Sequence, residues 1–315
     1  MTTQKKVRNI VIGVVAFIVL LAGYFWLMPP QTENKPITVT GGITSEAQTL
    51  GSINADMISY YTGRPTRVIN NLATTTINQK AMTNGDAQVS AARYTGTDLT
   101  TTLGLPAEKN PQKAFNTVHD QFEKKYNETW FPSYGFENTY VFLVRKDTAK
   151  KYNLKTVSDM EKVADKLSLG VDTAWVTRQG DGYDGFKKTY FPFKSIHPMQ
   201  IGLVYTAVAS KKMDVVLGYT TDGRIGSYDL TMLKDDRHYF PPYDACPVVD
   251  NVTLNTTPGL KKAMTKLSGK IDTKQMQQLN YQVDNNLKEP SVVANDFLQN
   301  IIISKESKAQ WIWRR

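Results

Sequence analysis

The sequence predicts an α/β protein of two lobes behind one amino-terminal transmembrane helix, and three observations predict it. Short runs of β-branched and small residues alternate with helically spaced apolar residues from Ile37 onward, the signature of mostly parallel sheets with helices on both faces. The chain of 315 residues exceeds one ordinary domain and falls short of a large multidomain enzyme. One long uncharged stretch lies near the amino terminus, and neither a fixed-period repeat nor coiled-coil heptads follow it.

That stretch is Ile10 to Met28. As a helix it is ~28 Å long, close to the hydrocarbon thickness of a bilayer. Lys5, Lys6 and Arg8 precede it and favour a cytoplasmic amino end; Tyr24 and Trp26 sit where amphipathic rings prefer the interface. Pro29 and Pro30 stop the helix. A secretory signal would carry the same pattern, but no clean Ala-x-Ala site follows and the apolar core is long for a signal. The expectation is an uncleaved anchor over residues 1–30, a polar tether over 31–36, and an exported remainder on the extracellular face of the membrane.

The exported part opens with a strand from Ile37 that ends in the Gly41-Gly42 turn. Leu50, Ile53, Met57 and Ile58 give Ala47 to Thr62 a helical period. A strand at Arg67, a helix from Thr76 to Asn84 closed by Gly85, and a strand from Ala87 complete a β-α-β-α-β run. Beyond it, Lys109 to Tyr126 reads as helix and Tyr140 to Arg145 as strand. Ser158, with Glu161 three positions on, carries a capping-box signature for a helix reaching Leu167. Leu169 to Asp172 is a strand, Pro198 to Ser210 a helix, and Met213 to Tyr219 a buried strand. Thr253 to Asn255 reads as a short polar strand, and helices follow over Pro258 to Leu267, Asp272 to Asn285 and Pro290 to Ile303.

Composition excludes several classes. Hydrophobic residues make up 41%, enough for sizeable cores. The formal charge of +9 is spread too thinly for a nucleic-acid surface and suits a position near anionic envelope polymer or lipid. One cysteine, Cys246, rules out an internal disulfide and CxxC chemistry. His119, His197 and His238 stand far apart, and no hydrolase, zincin, P-loop or dinucleotide motif occurs, so neither metal, cofactor nor catalytic group is expected. The run Gly180-Asp-Gly-Tyr-Asp-Gly has too few oxygen ligands for an EF-hand loop and reads as a polar turn leading to a helix. Asp222-Gly-Arg224 is a tight turn whose arginine either pairs locally or reaches a cleft. Asp235, Asp236 and His238 read as a solvated loop.

Tyrosine placement is more informative. Tyr94 follows a small-residue strand, Tyr140 opens one, Tyr219 closes one, and Tyr243 follows Pro241-Pro242. Phenol rings displayed at strand ends suit a quaternary ammonium, which has no N–H for hydrogen bonding and is selected by ring quadrupoles. Ordinary half-buried packing is the readier account of each ring taken singly, and spacing alone does not assemble the four.

Four motifs carry a resemblance: Arg93-Tyr-Thr-Gly-Thr-Asp-Leu, Tyr134-Gly-Phe-Glu-Asn-Thr-Tyr-Val-Phe, Met213-Asp-Val-Val-Leu-Gly-Tyr-Thr-Thr-Asp-Gly-Arg-Ile, and Leu233-Lys-Asp-Asp-Arg-His-Tyr-Phe-Pro-Pro-Tyr-Asp-Ala. The chain resembles, from about Ile37 to its end, the substrate-binding proteins of osmoprotectant ABC transporters for glycine betaine, carnitine and choline. The resemblance implies a two-lobed periplasmic-binding-protein fold (type II) crossed twice by the chain, with lobe 1 over 37–142, lobe 2 over 143–245, and a return to lobe 1 over 246–315. It also implies a permease partner and an aromatic box of Tyr94, Tyr140, Tyr219 and Tyr243. Gln48, Thr97 and Thr74 are the implied contacts for the ligand's polar tail. The family's Gram-positive members are mostly lipoproteins, and no lipobox cysteine occurs here, so the anchoring mode departs from that pattern.

Other classes remain to be weighed. An extracellular enzyme acting on choline-type compounds needs a nucleophile with a base or a metal cluster, and neither is legible. An adhesive envelope protein has no use for a deep aromatic pocket. A receptor that borrows the same fold is the third.

Overall fold

The computed structural model describes residues 35–178 and 180–301. The expected anchor and tether lie outside them, apart from Lys35 and Pro36. Among the described residues no helix is long and apolar enough to cross a membrane.

Among the described residues, ten strands form two five-stranded sheets. The first holds β1 (Ile37–Thr40), β2 (Thr66–Ile69), β3 (Val89–Tyr94), β4 (Glu128–Trp130) and β10 (Ala245–Asp250) in the order β2-β1-β3-β10-β4. The second holds β5 (Tyr140–Arg145), β6 (Ser168–Asp172), β7 (Ser195–Met199), β8 (Val215–Tyr219) and β9 (Leu230–Leu233) in the order β7-β6-β8-β5-β9. The expectation of mostly parallel sheets needs correction: both are mixed. β1 pairs in parallel with β2 and β3, and β6 with β7 and β8. The strand that enters each sheet after a crossing, β5 in one and β10 in the other, is inserted antiparallel between its neighbours. Each lobe repeats the other's plan. β5 begins at Tyr140, so the chain enters the second sheet before the boundary expected after residue 142.

Helices cover both faces of each sheet, and strand alternation feeds a cluster on each side. In β5, Tyr140, Phe142 and Val144 join the aromatic core with Trp175, Phe186 and Phe193, while Val141 and Leu143 face Val204, Tyr205 and Val208. In β10, Ala245 and Val249 meet Leu50, Ile53 and Met57 of α1 (Ser45–Thr62). Cys246 and Val248 meet Val118 and Phe122, which lie on the long helix Pro111–Tyr126.

Three local expectations fail for identifiable reasons. Residues 158–163 form a 3₁₀ segment without a side-chain cap; Asp159 Oδ2 instead accepts from Lys155 and Thr156 N–H, tightening the turn. Thr253 to Asn255 lies in a short helix, Asn251–Thr256, because Asp250 Oδ1 accepts from Thr253 N–H and caps it. The helix expected from Pro198 begins at Ile201, because residues 195–199 pair with β6 as β7.

Candidate functional site

A cleft of about 630 Å³ lies between the two sheets. Its walls follow from the topology. β1, β3 and β8 point their carboxyl ends at it, and the antiparallel β5 and β10 begin at the same edges. In the second sheet Tyr140 therefore stands directly opposite Tyr219 in register. In the first, Tyr94 stands opposite Ala245, two residues past Tyr243. Ligands in open α/β sheets collect at such strand ends.

All four tyrosines line this cleft, with Thr74 and Thr97. The Tyr140 and Tyr219 rings stack with centroids 5.0 Å apart and planes 24° from parallel. This gap does not admit a trimethylammonium group, so the pair offers outer faces rather than two separate walls. Phe240 packs against Tyr140 with centroids 5.5 Å apart and planes tilted by 42°. Tyr243 is held at its hydroxyl, which donates to Asp181 Oδ2 (2.9 Å) and accepts from Arg178 Nη2 (3.1 Å). Gly96 makes room for that ring: a Cβ there would stand 2.6 Å from the Pro242 carbonyl and 3.0 Å from the ring. Burial pushes all four phenols above their ordinary pKa, so they remain neutral rings.

Gln48 is not brought to the cleft with them. Its amide instead donates at 3.3 Å to the carbonyl of Gly42, a lining residue ahead of α1. Thr74 reaches the cleft, but its hydroxyl also accepts from Ile77 N–H and caps the next helix, Thr75–Thr83.

Other residues of the cleft escaped the sequence reading. Arg178 lies over the Tyr140 ring at 5.8 Å and pairs with Asp181 at 2.6 Å. Asp181, the first of the two acids in the glycine-rich run, lies behind the lining, buried and committed to Arg178 and Tyr243. Glu46, in the first turn of α1, is buried. Its Oε1 accepts from Tyr94 Oη (2.5 Å) and Asn138 Nδ2 (3.0 Å), and its Oε2 from Asn280 Nδ2 (3.2 Å). Asn280 also donates to the Thr221 carbonyl beyond β8, so one amide ties the two lobes. Arg224 lines the cleft and also pairs with Asp222 through two nitrogens, resolving both readings of that turn together. An acidic residue opening a helix is the one sequence signal Glu46 offers, and helix-end electrostatics accounts for it without a ligand.

The described residues contain no group of three or more histidine, cysteine, aspartate or glutamate side chains able to hold a metal ion. What the arrangement offers is aromatic faces, neutral amides and hydroxyls, two arginines already paired with acids, and the carboxylates of Glu46 and Asp284.

Residues 35–300 match the substrate-binding domain of the ABC-type glycine betaine transport system. The chain is 53% identical over 269 residues to the carnitine transport binding protein OpuCC of Listeria monocytogenes, covering 85% of this chain and 87% of that protein. It is 35% identical to the ergothioneine transport permease/ergothioneine binding protein EgtU of Helicobacter pylori, covering 95% of this chain and 54% of that longer protein. Among solved structures, a glycine betaine/carnitine/choline ABC transporter superposes with a TM-score of 0.81 at 50% identity, over 84% of this chain and 98% of that one.

Proposed function

The chain belongs to the family of substrate-binding domains of ABC-type glycine betaine transport systems, and from that premise we propose that it captures a quaternary ammonium osmoprotectant (glycine betaine, carnitine or choline) and presents it to its permease. It is the substrate-binding component of an ABC importer and not an enzyme. The observation that carries the ligand reading is the convergence of Tyr94, Tyr140, Tyr219 and Tyr243 on one cleft from strand ends of both sheets. The trimethylammonium group lies against these rings. The remaining cleft, with Thr74, Thr97, Asn138 and Thr139, takes the polar tail. A ligand touching both sheets stabilises the closed arrangement, which the permease recognises.

Calorimetric titration of residues 31–315 with glycine betaine, carnitine, choline and tetramethylammonium tests this. Saturable binding of the methylated ammonium compounds, with no heat from the tert-butyl analogue of choline, is the expected outcome. Equal binding of that uncharged analogue, or binding of none of the set, refutes the reading.

The amino-terminal stretch Ile10–Met28 tethers the protein to the outer face of the membrane in this proposal. It predicts an intact amino terminus and membrane partition of protein taken from cells. A mature start near Gln31, found by intact mass, ends it.

A further inference from the structure

Three carboxylates line the cleft: Asp222 pairs with Arg224, the exposed Asp284 accepts from Ser45 Oγ, and Glu46 is buried beside the Tyr94 hydroxyl. Glu46 is 3% exposed, and the three donors that reach it, Tyr94 Oη, Asn138 Nδ2 and Asn280 Nδ2, are all neutral. The arginines of the cleft are engaged elsewhere, Arg178 with Asp181 and Arg224 with Asp222, and Glu46 forms no ion pair among the described residues. The amino end of α1 offsets part of its charge. A carboxylate removed from water without a cationic partner is otherwise costly, and structures retain such groups where something else supplies the counter-charge.

We infer that Glu46 sets the charge preference of the site, supplying from beside the Tyr94 ring the counter-charge for the ligand's ammonium group and favouring solutes whose only charge is that cation over zwitterions. The inference rests on the cage reading. An ammonium against the Tyr94 ring lies beside the group that holds its phenol. A hydrogen bond from a phenol to a carboxylate also enriches the ring in electron density, strengthening its attraction for a cation. A choline-like ligand meets Glu46 as a single positive charge. A betaine-like ligand brings its own carboxylate into the same low-dielectric cleft, and repulsion cancels part of the gain.

Titration of the wild type and of Glu46→Gln with choline, tetramethylammonium and glycine betaine tests the inference. Glutamine keeps the volume and an acceptor for Tyr94 Oη, so the ring stays in place while the charge is lost. Choline and tetramethylammonium affinities are expected to fall about tenfold and glycine betaine about threefold or less. In the variant an amide NH2 replaces the oxygen that accepts from Asn280 Nδ2, so a lower melting temperature is expected and affinities are compared where both proteins are fully folded. Tyr94→Phe cuts the hydrogen bond but keeps the charge, and should leave the choline-to-betaine ratio near the wild-type value. Should Glu46→Gln fail to fold, Glu46→Ala gives the same ratio readout. An equal loss for all three ligands, or a Tyr94→Phe ratio shift as large as that of Glu46→Gln, overturns the charge role. A wild type that binds none of the three ends the cage reading itself; binding with an unmoved ratio ends this inference alone.

Discussion

A ring that faces a cation in a dry cleft contributes up to ~2 kcal/mol, and each 1.4 kcal/mol is about tenfold in affinity. Replacing any one of Tyr94, Tyr140, Tyr219 or Tyr243 by alanine should therefore weaken binding by roughly one to two decades. The stacking of Tyr140 on Tyr219 adds a condition. Once either ring is gone, its partner loses its orientation, so the double alanine variant should lose less affinity than the two single losses combined. Full additivity in calorimetry would show two independent walls. Gly96→Ala forces a methyl against the Pro242 carbonyl and the Tyr243 ring, and should cost ~1–3 kcal/mol of stability together with affinity. The tyrosines were legible at this scale because ring type and strand-end position are local properties. Gln48 stands off the cleft lining because one step along a helix turns a side chain by about 100°, and proximity to the helix start does not say which face meets the cleft.

At the scale of elements, burial shapes the titration of the sheet's edge. Glu128 on β4 is buried, and its pKa is pushed up to about 7 by desolvation, with Arg93 and Gln79 opposing and Asp98 and Asp250 reinforcing the rise. A carboxyl whose folded pKa exceeds its unfolded value near 4.5 stabilises the fold fully below that lower value, and the contribution disappears as pH rises through about 7. The denaturant midpoint should thus fall between pH 5 and pH 8, by an amount of order 2 kcal/mol in stability. Glu128→Gln should flatten that part of the slope; an unchanged slope would place the titration elsewhere. A second element carries an inter-lobe contact. The helix Thr273–Asp284 starts with a capping box between Asp272 and Gln275, and it delivers Gln277 to the Thr220 carbonyl and Asn280 to that of Thr221. Asp272→Ala should cost ~1 kcal/mol, read as a lower melting temperature. The helix itself was legible in the sequence over Asp272 to Asn285. Its partner was not, since no periodicity in residues 273–284 specifies contact with a turn more than fifty residues away.

For the molecule as a whole, one arginine ties the lobe-2 wall to the returning chain. Arg178 lies over Tyr140, pairs with Asp181 and donates to Tyr243, just ahead of the strand that re-enters the first sheet. Arg178→Ala leaves Asp181 buried without its cation, so both melting temperature and affinity should fall. Ligand addition should shrink the wild-type radius of gyration in small-angle scattering, and Arg178→Ala should blunt that change at saturating ligand. Equal compaction in both would free closure from this contact. The sequence by itself determined the alternation of strands and helices, the presence of enough apolar residues for two cores, the display of four tyrosines beside glycines and prolines, and motifs specific enough to indicate the family. These are properties of residue type and of periods of two or 3.6, which burial writes into neighbouring positions. The antiparallel insertion of β5 and β10, the meeting of rings from residues 94 to 243 in one cleft, the enclosure of Glu46 and the grip of Arg178 on Tyr243 were decided by tertiary structure alone. Each depends on register between strands distant in the chain, and hydrogen-bonded register leaves no local signature until the partner strand is in place.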